Sequence, residues 1–174
     1  MDNTRKIFRE IKAEAMLTES ADLRFYLTGF PSSFGIVYTD AQESILFTDP
    51  RYAEGAKAAL KNTFVGVEIA KDLHTVLDYV KSKKIRRIAV PFERLTLPQA
   101  KEFEARRFKI VDSMPAFTRA MAVKSEDEAA WIREACKIAE RAYTDVLATL
   151  KEGMTENETA ALLEYTMRKY GAED

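Results

Sequence analysis

One short segment combines an acid, a guanidinium and a phenol where a helix should begin. Asp49, Arg51 and Tyr52 surround Pro50. Arginine offers a planar fork of N–H donors that suits a carboxylate, so Arg51 and Tyr52 could recognise a group of a substrate. The same residues could instead cap the helix and tie it to its own sheet, because Asp accepts hydrogen bonds from helix amides and Pro fits the first turn. The residues alone favour the structural role and leave the substrate role open.

The other reactive side chains form no catalytic or metal-binding pattern. His74 is the only histidine and Cys136 the only cysteine, which nearly excludes a zinc site of the usual ligand types. We expect His74 to be a solvated surface residue, since it lies beside the apolar stripe of its helix, without convergent acids. Cys136 lies in the middle of a helical pattern, which predicts a small buried hydrophobic residue and not a nucleophile.

Two further segments have structural explanations. Residues 29–35 read Gly-Phe-Pro-Ser-Ser-Phe-Gly, which lacks the lysine and the strand-to-helix context of a phosphate-binding loop. We expect a turn that leads into a strand. The acidic run Glu126, Asp127 and Glu128 fits the first turn of a helix, where carboxylates complement the helix dipole.

The composition excludes several classes of partner. The 174 residues carry 27 basic and 28 acidic side chains, and a formal net charge of -1 offers no electrostatic footprint for nucleic acid. No segment approaches the roughly 18 consecutive apolar residues that a membrane span needs. The N-terminus lacks a signal-peptide pattern, and a single cysteine allows no disulfide framework. We therefore expect a cytoplasmic protein that binds neither nucleic acid nor membranes.

The first two thirds of the chain predict a mixed α/β domain. A helix over residues 4–13, a strand over 15–18 and a helical turn over 20–27 precede a hairpin signal at 34–39 and 44–48. Helices and strands then alternate. The predicted helices cover 51–61, 72–82 and 97–107, and the predicted strands cover 63–69, 85–90 and 108–111. Such alternation favours parallel strands with crossover helices, so the early hairpin makes the sheet mixed.

The pattern changes at residues 113–123, which contain Pro115 and predict an irregular connector. Everything after this connector is helical. Two capping boxes mark the helix starts and two glycines the helix ends: Ser125 with Glu128, Thr155 with Glu158, and then Gly153 and Gly171. Two amphipathic helices cannot bury their apolar faces by themselves. We therefore expect an incomplete second domain whose reactive residues lie beyond this sequence.

Three segments together resemble the prolidase, aminopeptidase P and creatinase group of pita-bread proteins. The first, residues 22–30, ends in Gly29 and Phe30. It is similar to the group's asparagine-isoleucine-arginine-tyrosine-leucine-threonine-glycine-phenylalanine signature, with Ala-Asp-Leu in place of asparagine-isoleucine. The second, residues 46–52, is similar to the threonine-aspartate-x-arginine-tyrosine segment of the group, with Pro50 at the variable position.

The third segment runs from Arg119 to residue 156. It resembles the boundary where an arginine-x-x-x-lysine-serine motif opens the first helix of the catalytic domain, and Lys124 and Ser125 match its lysine and serine. In this order and at these spacings, the three segments cover nearly the whole chain.

The resemblance implies a fold and a domain boundary. Residues 1–123 would form a creatinase-type N-terminal domain, which is a mixed sheet flanked by helices in a ribonuclease-H-like arrangement. Residues 124–174 would begin an α+β pita-bread catalytic domain and contribute its first two helices. The resemblance also assigns motif roles that hold the fold to Asp49, Gly29, Phe30, Lys124 and Ser125, and makes Arg51 and Tyr52 the candidates for facing a substrate.

The resemblance further implies a chemistry for the parent protein. In peptidases of this group two Asp, one His and two Glu hold a pair of divalent metals, commonly manganese or cobalt, and a metal-bridging hydroxide attacks the bond preceding proline. Those ligands follow the second helix in the family, so we expect no metal site and no hydrolysis in this chain alone. The parent would be a homodimeric Xaa-Pro peptidase acting on proline-containing dipeptides or oligopeptides.

Two other functions stay open. A peptidase-like protein that has lost its metal ligands would be a binding or oligomerisation module. A creatinase-type amidinohydrolase would use histidine and glutamate in its pocket without a metal. A nuclease is less favoured, because the predicted strands 15–18, 34–39 and 44–48 contain no carboxylate to hold metals.

Overall fold

The computed structural model describes residues 3–173, which form one mixed sheet and eight α-helices. The strands are β1 Ala15–Thr18, β2 Ile36–Asp40, β3 Ser44–Thr48, β4 Val65–Ile69, β5 Arg87–Val90 and β6 Lys109–Asp112. The helices are α1 Asn3–Phe8, α2 Ala21–Thr28, α3 Pro50–Leu60, α4 Leu73–Ser82, α5 Leu97–Ala105, α6 Met114–Ala122, α7 Glu126–Leu147 and α8 Glu156–Lys169. The predicted mixed α/β fold is therefore confirmed.

Five of the six strands run in the same direction. The strand order is β4-β3-β2-β1-β5-β6, in which only β2 is antiparallel to both of its neighbours. The pairs β3–β4, β1–β5 and β5–β6 are parallel. The carboxyl ends of five strands and the start of β2 consequently share one edge of the sheet. We call it the carboxyl edge, and the residues that mark it are Thr18, Ile36, Thr48, Ile69, Val90 and Asp112.

Helices cover both faces of the sheet, which explains why the central strands are almost continuously apolar. On one face α1, α2, α3 and α6 pack on the sheet around buried residues such as Leu23 and Phe117. On the other face α4 and α5 do so, and the predicted apolar stripe of α4 is buried. Neighbouring residues of one strand serve opposite faces, as Met16 and Leu17 do.

The structure corrects the prediction for residues 113–123. This segment is not an irregular connector, because Met114–Ala122 form helix α6. Pro115 lies in the first turn, where its missing N–H removes no helical hydrogen bond. Met114, Phe117 and Ala120 recur at helical spacing and are buried against the sheet. The proline was therefore a helix start and not a helix breaker.

Several other element boundaries differ from the prediction. Helix α1 ends at Phe8 and is shorter than the predicted 4–13. Strand β2 extends to Asp40, so this strand does carry a carboxylate. That carboxylate accepts hydrogen bonds from the backbone N–H groups of Gln42 and Glu43 at 2.8 and 2.9 Å and from the hydroxyl of Tyr38. Its acceptors are thus used to close the β2–β3 hairpin.

The chain divides into two compact units near residue 122, and the second contains α7 and α8. Both helices begin with the predicted capping boxes. Ala142 and Val146 of α7 are buried, whereas most of its other apolar residues are not. The large exposed side chains of this unit are Val123, Trp131, Ile132, Tyr143, Leu147, Leu150 and Tyr165. Among residues 3–173, no helix is both long and apolar enough to cross a membrane.

Candidate functional site

Arg51 stands at the start of α3, on the carboxyl edge of the sheet. Asp49 caps this helix, because its Oδ1 accepts the backbone N–H of Arg51 at 2.8 Å. The same carboxylate pairs with the guanidinium, with 2.7 Å between Nη2 and Oδ2. The side chain of Arg51 is nevertheless 72% exposed. The structure thus shows the helix cap that the sequence predicted, and the guanidinium that Asp49 orients faces outward.

Tyr52 connects this helix start to the loop at residues 29–35. Its hydroxyl and the Oγ of Ser33 are hydrogen-bonded at 2.9 Å. The rings of Phe30 and Tyr52 meet edge to face, with centroids 6.4 Å apart. The guanidinium carbon of Arg51 lies 5.4 Å from the centre of the Tyr52 ring, which is a cation–π distance. The phenol and the guanidinium therefore form one surface with this loop.

Hydrogen bonds shift the pKa values of the three titratable side chains of this surface, Asp49, Arg51 and Tyr52. The hydrogen bond from the Arg51 side chain is the main cause that lowers the pKa of Asp49, and it likewise raises the pKa of Arg51. The hydrogen bond with Ser33 lowers the pKa of Tyr52. Asp49 engages Nε and Nη2 of the guanidinium, and Nη1 is not part of this pair. The arrangement suits a carboxylate or carbonyl oxygen as ligand.

The other motif residues have structural positions. Gly29 ends α2 in the left-handed conformation, with φ of 69°, and its N–H donates to the carbonyl oxygen of Phe25 at 2.7 Å. Ser125 caps α7 by accepting the N–H of Glu128 at 3.2 Å. Lys124 precedes this cap and is exposed. Gly29 and Ser125 therefore mark the end of α2 and the start of α7.

His74 is a surface residue, as predicted, but its surroundings differ from the prediction. Its Nδ1 lies 2.5 Å from Nη2 of Arg106, and the carboxylates of Asp78 and Glu102 lie 3.5 and 3.8 Å from its ring nitrogens. The acids come from one turn further along α4 and from α5, so a pattern within α4 alone did not reveal both. Arg106 is the centre of this group and links α4 to α5 through Asp78 and Glu102.

The prediction for Cys136 was wrong, because the residue is exposed and not buried. The helical periodicity around it correctly identified an apolar face of α7. Only the part of this face near Ala142 and Val146 is covered, and Cys136 lies outside that part.

A small cleft also opens on the carboxyl edge between β1, β5 and α5. Its lining includes the half-buried Glu19, whose Oε2 accepts a hydrogen bond from Gln99 at 2.8 Å. Burial raises the pKa of Glu19. The cavity volume is about 30 Å³, which has room for water and not for a peptide. We call the surface formed by Arg51, Tyr52 and the loop at residues 29–35 the candidate surface.

Comparison with known families now identifies the first compact unit. Residues 1–123 match the family model described as the creatinase/prolidase N-terminal domain. The chain belongs to this family. Residues 130–174 match a second model, metallopeptidase family M24. The candidate surface around Arg51 thus lies in the creatinase/prolidase domain, and α8 and most of α7 lie in the part that matches the metallopeptidase family.

Solved structures share this architecture over nearly the entire chain. An X-Pro aminopeptidase from Thermotoga maritima MSB8 is 34% identical, with a TM-score of 0.84 over 96% of this chain and 49% of its own. A Xaa-Pro dipeptidase from Bacillus anthracis has a TM-score of 0.87 at 24% identity, over 98% of this chain and 48% of its own. This second similarity supports the fold of the creatinase/prolidase domain and of the helices that follow it.

Curated relatives extend well beyond the length of this chain. The uncharacterized peptidase YqhT of Bacillus subtilis (strain 168) is 27% identical over 175 residues, which are 99% of this chain and 50% of that protein. The uncharacterized peptidase SAB1567 of Staphylococcus aureus (strain bovine RF122 / ET3-1) is 28% identical over 160 residues, or 86% of this chain and 44% of that protein. The chain thus spans about half the length of these relatives.

The metals implied by the family do not fit the side chains of this part of the protein. In the stretch from residue 3 to residue 173, no three or more His, Cys, Asp and Glu side chains form a group that could hold a metal ion. The group of His74, Asp78 and Glu102 has the guanidinium of Arg106 at its centre, which opposes a cation there.

Proposed function

We propose that this chain forms the amino-terminal part of a metal-dependent Xaa-Pro peptidase, which hydrolyses peptide bonds that precede proline. The observation that carries the proposal is the succession of two matches along one chain: the creatinase/prolidase domain at residues 1–123 and metallopeptidase family M24 at 130–174. The X-Pro aminopeptidase of Thermotoga maritima, with 34% identity, supports the same substrate class.

The proposed division of labour follows the two compact units. Residues 1–123 form the non-catalytic N-terminal domain, which shapes the rim of the active site and contributes to a homodimer. Residues 124–174 begin the pita-bread catalytic domain. The parent enzyme is proposed to be cytoplasmic, and its metals, two manganese or cobalt ions, would be held by residues outside this sequence and would activate the attacking water.

Within this division, Arg51 and Tyr52 are proposed to face the substrate. Ligands of open α/β sheets bind outside the carboxyl ends of the strands, and Arg51 stands there with 72% of its side chain exposed. Its pairing with Asp49 orients the guanidinium before any ligand arrives, which reduces the entropy lost on binding. The partner we propose is a carboxylate or backbone carbonyl of a dipeptide or oligopeptide that contains proline.

The test of this function is hydrolysis by the full-length protein. We expect Ala-Pro or Ala-Pro-Ala to be cleaved, the matched Ala-Ala and Ala-Ala-Ala to be cleaved far more slowly, and activity to be lost on chelation and regained with Mn²⁺ or Co²⁺. The 174-residue chain is the matched control and should cleave neither substrate.

Three results would contradict the proposal. Activity that survives thorough chelation would exclude the metal-dependent mechanism, and creatine hydrolysis without metal would indicate a creatinase-type amidinohydrolase. Xaa-Pro peptides that bind without being cleaved would indicate a binding module. Cleavage by the 174-residue chain, purified free of host peptidases, would show that the catalytic residues lie within it.

A further inference from the structure

Arg24 is a buried cation whose hydrogen bonds go to backbone carbonyls. The residue is only 4% exposed. Its Nη1 donates to the carbonyl oxygen of Glu19, and its Nη2 donates to the carbonyl oxygen of Ser32 at 2.6 Å. Burial is the main cause that lowers the pKa of Arg24. Burying a charge is unfavourable unless it is well compensated, so a guanidinium retained in this position calls for an explanation.

The two carbonyl groups belong to separate segments of the carboxyl edge. Glu19 directly follows β1, and Ser32 lies in the middle of the loop at residues 29–35. The planar fork of one guanidinium therefore ties this loop to the end of a central strand. The N–H groups of an arginine lie on separate nitrogens of one rigid plane, so a single side chain can reach both acceptors at once.

The end of the loop also packs on the same guanidinium. A Cβ atom added at Gly35 would lie 3.2 Å from Nε of Arg24 and 3.2 Å from the carbonyl oxygen of Phe47. That Nε is buried without a hydrogen-bond partner. The loop is thus held at Ser32 by a hydrogen bond, and the guanidinium leaves little room for a side chain at Gly35. The unpaired buried N–H is unfavourable.

Ser33, the residue after Ser32, contacts Tyr52 of the candidate surface. Ser33 bonds the hydroxyl of Tyr52, and Phe30 of the same loop packs against its ring. A short path of direct contacts therefore runs from Arg24 through Ser32 and Ser33 to Tyr52.

We propose that Arg24 is a positioning residue, which fixes the loop at residues 29–35 so that Ser33 and Phe30 hold Tyr52 in its place on the carboxyl edge. The role in catalysis rests on the proposed function, because it requires that Tyr52 faces the substrate. The geometric role does not, and it can be tested separately.

The geometric role is tested by titrating the phenol of Tyr52 in the 174-residue chain, with ¹³C-labelled tyrosine and NMR. Tyr52→Phe assigns the signal. Ser33→Ala removes the hydrogen bond that lowers the pKa of Tyr52, so the pKa of Tyr52 should rise. Arg24→Met should also raise the pKa of Tyr52, because it releases the loop that carries Ser33. Arg24→Lys keeps the cation but lacks the fork, and should give an intermediate value.

The outcome that overturns the geometric role is a folded Arg24→Met chain in which Tyr52 titrates as in the unmodified protein while Ser33→Ala shifts. If Arg24→Met does not fold, Arg24→Lys decides, because it keeps the positive charge but lacks the planar fork that reaches both carbonyl oxygens. A folded Arg24→Lys chain with an unchanged Tyr52 titration would equally exclude the role.

The catalytic part is tested by kinetics of the full-length protein on an Xaa-Pro peptide. Arg24→Met should raise KM roughly 3- to 10-fold with kcat little changed, Tyr52→Phe should do the same, and the double variant should be no worse than either, because the two act through one contact. Independent, multiplicative effects would overturn it. A full-length protein without Xaa-Pro activity would instead refute the proposed function and leave the Tyr52 titration to decide the geometric role.

Discussion

Two arginines near the carboxyl edge have opposite environments, and for this reason we propose a binding role for Arg51 and a positioning role for Arg24. Arg51 pairs with the carboxylate of Asp49 and points into solvent, where a ligand can reach it. Arg24 has backbone carbonyls as hydrogen-bond partners and is enclosed by protein. The exposed residue can exchange a partner for a substrate at little energetic cost, whereas the buried one can only hold the local backbone in place.

Two glycines differ in what a methyl group would do. Gly29 has φ of 69°, so Gly29→Ala should lower the free energy of unfolding by about 1 kcal/mol through backbone strain alone, since nothing lies within 4 Å of the added Cβ. Gly55 lies inside α3, and its added Cβ would meet the Phe30 ring at 3.7 Å, an ordinary contact. Gly55→Ala should therefore stabilise by about 0.5–1 kcal/mol. Urea unfolding of both variants measures the difference, and equal effects of the two would contradict these backbone assignments.

Glu19 makes the stability of the folded protein depend on pH. Burial raises its pKa in the folded state above the usual value of a glutamate, so the folded protein holds this proton more tightly than the unfolded chain. The stability that comes from this tighter proton binding is fully present at pH values below the pKa of Glu19 in the unfolded chain. It is lost as the pH rises through the pKa of Glu19 in the folded protein. Glu19→Gln keeps an acceptor for Gln99 and removes the charge.

The measurement for Glu19 is urea unfolding at about pH 4 and about pH 7. The stability of Glu19→Gln relative to the unmodified chain should be greater at the higher pH. The exposed Glu93→Gln serves as the control for a change of charge alone. If Glu19→Gln and Glu93→Gln changed the free energy of unfolding by the same amount at both pH values, the raised pKa of Glu19 would be refuted.

At the level of single residues, sequence reasoning reached only what is local. Asp49 and Pro50 predict a helix start correctly, because both act on backbone groups within a few residues. Ser33 and Tyr52 are 19 positions apart, and only the sheet brings the loop and the helix together. Arg24 carried no signal of burial either, since an arginine in a short helical segment is typical of a surface residue.

Among the elements, helix α6 shows how strongly tertiary packing can stabilise a short segment. Phe117 is fully buried between this helix and the sheet. Phe117→Ala should lower the free energy of unfolding by about 3–5 kcal/mol, because it removes apolar contacts and leaves a cavity. The adjacent exposed Thr118→Ala is the matched control and should change stability by no more than about 0.5 kcal/mol. Similar values for the two variants in denaturant titrations would mean that α6 is not docked as described.

The starts of helices were easier to predict than the burial of their apolar faces. The predicted capping boxes at Ser125 and Thr155 are both present, because a cap depends on side chains three residues apart. Whether a helical face is covered depends on distant elements. The same periodicity that marked α7 therefore placed Cys136 in a core that does not enclose it.

At the scale of the whole molecule, the order of the strands decides which residues meet. The sequence predicted a mixed sheet from a hairpin followed by alternation, and the structure confirms it. It did not predict that β1 pairs with β5, a partner some 70 residues away, because pairing between distant strands leaves no local pattern. That pairing adds the ends of β5 and β6 to the edge where the β2–β3 hairpin already brings the loop at 29–35 beside Arg51 and Tyr52.

The central claim is that this edge of the creatinase/prolidase domain faces the substrate of an Xaa-Pro peptidase. The most direct test is the KM of the full-length protein for an Xaa-Pro peptide, compared between Arg51→Ala and Arg86→Ala. Arg86 is also an exposed arginine, but it precedes β5 and lies at the opposite edge of the sheet. We expect Arg51→Ala to raise KM about 10-fold, the equivalent of one charge-assisted hydrogen bond at about 1.4 kcal/mol, with kcat little changed. Arg86→Ala should leave both constants unchanged, and a KM for Arg51→Ala equal to that for Arg86→Ala would contradict the claim.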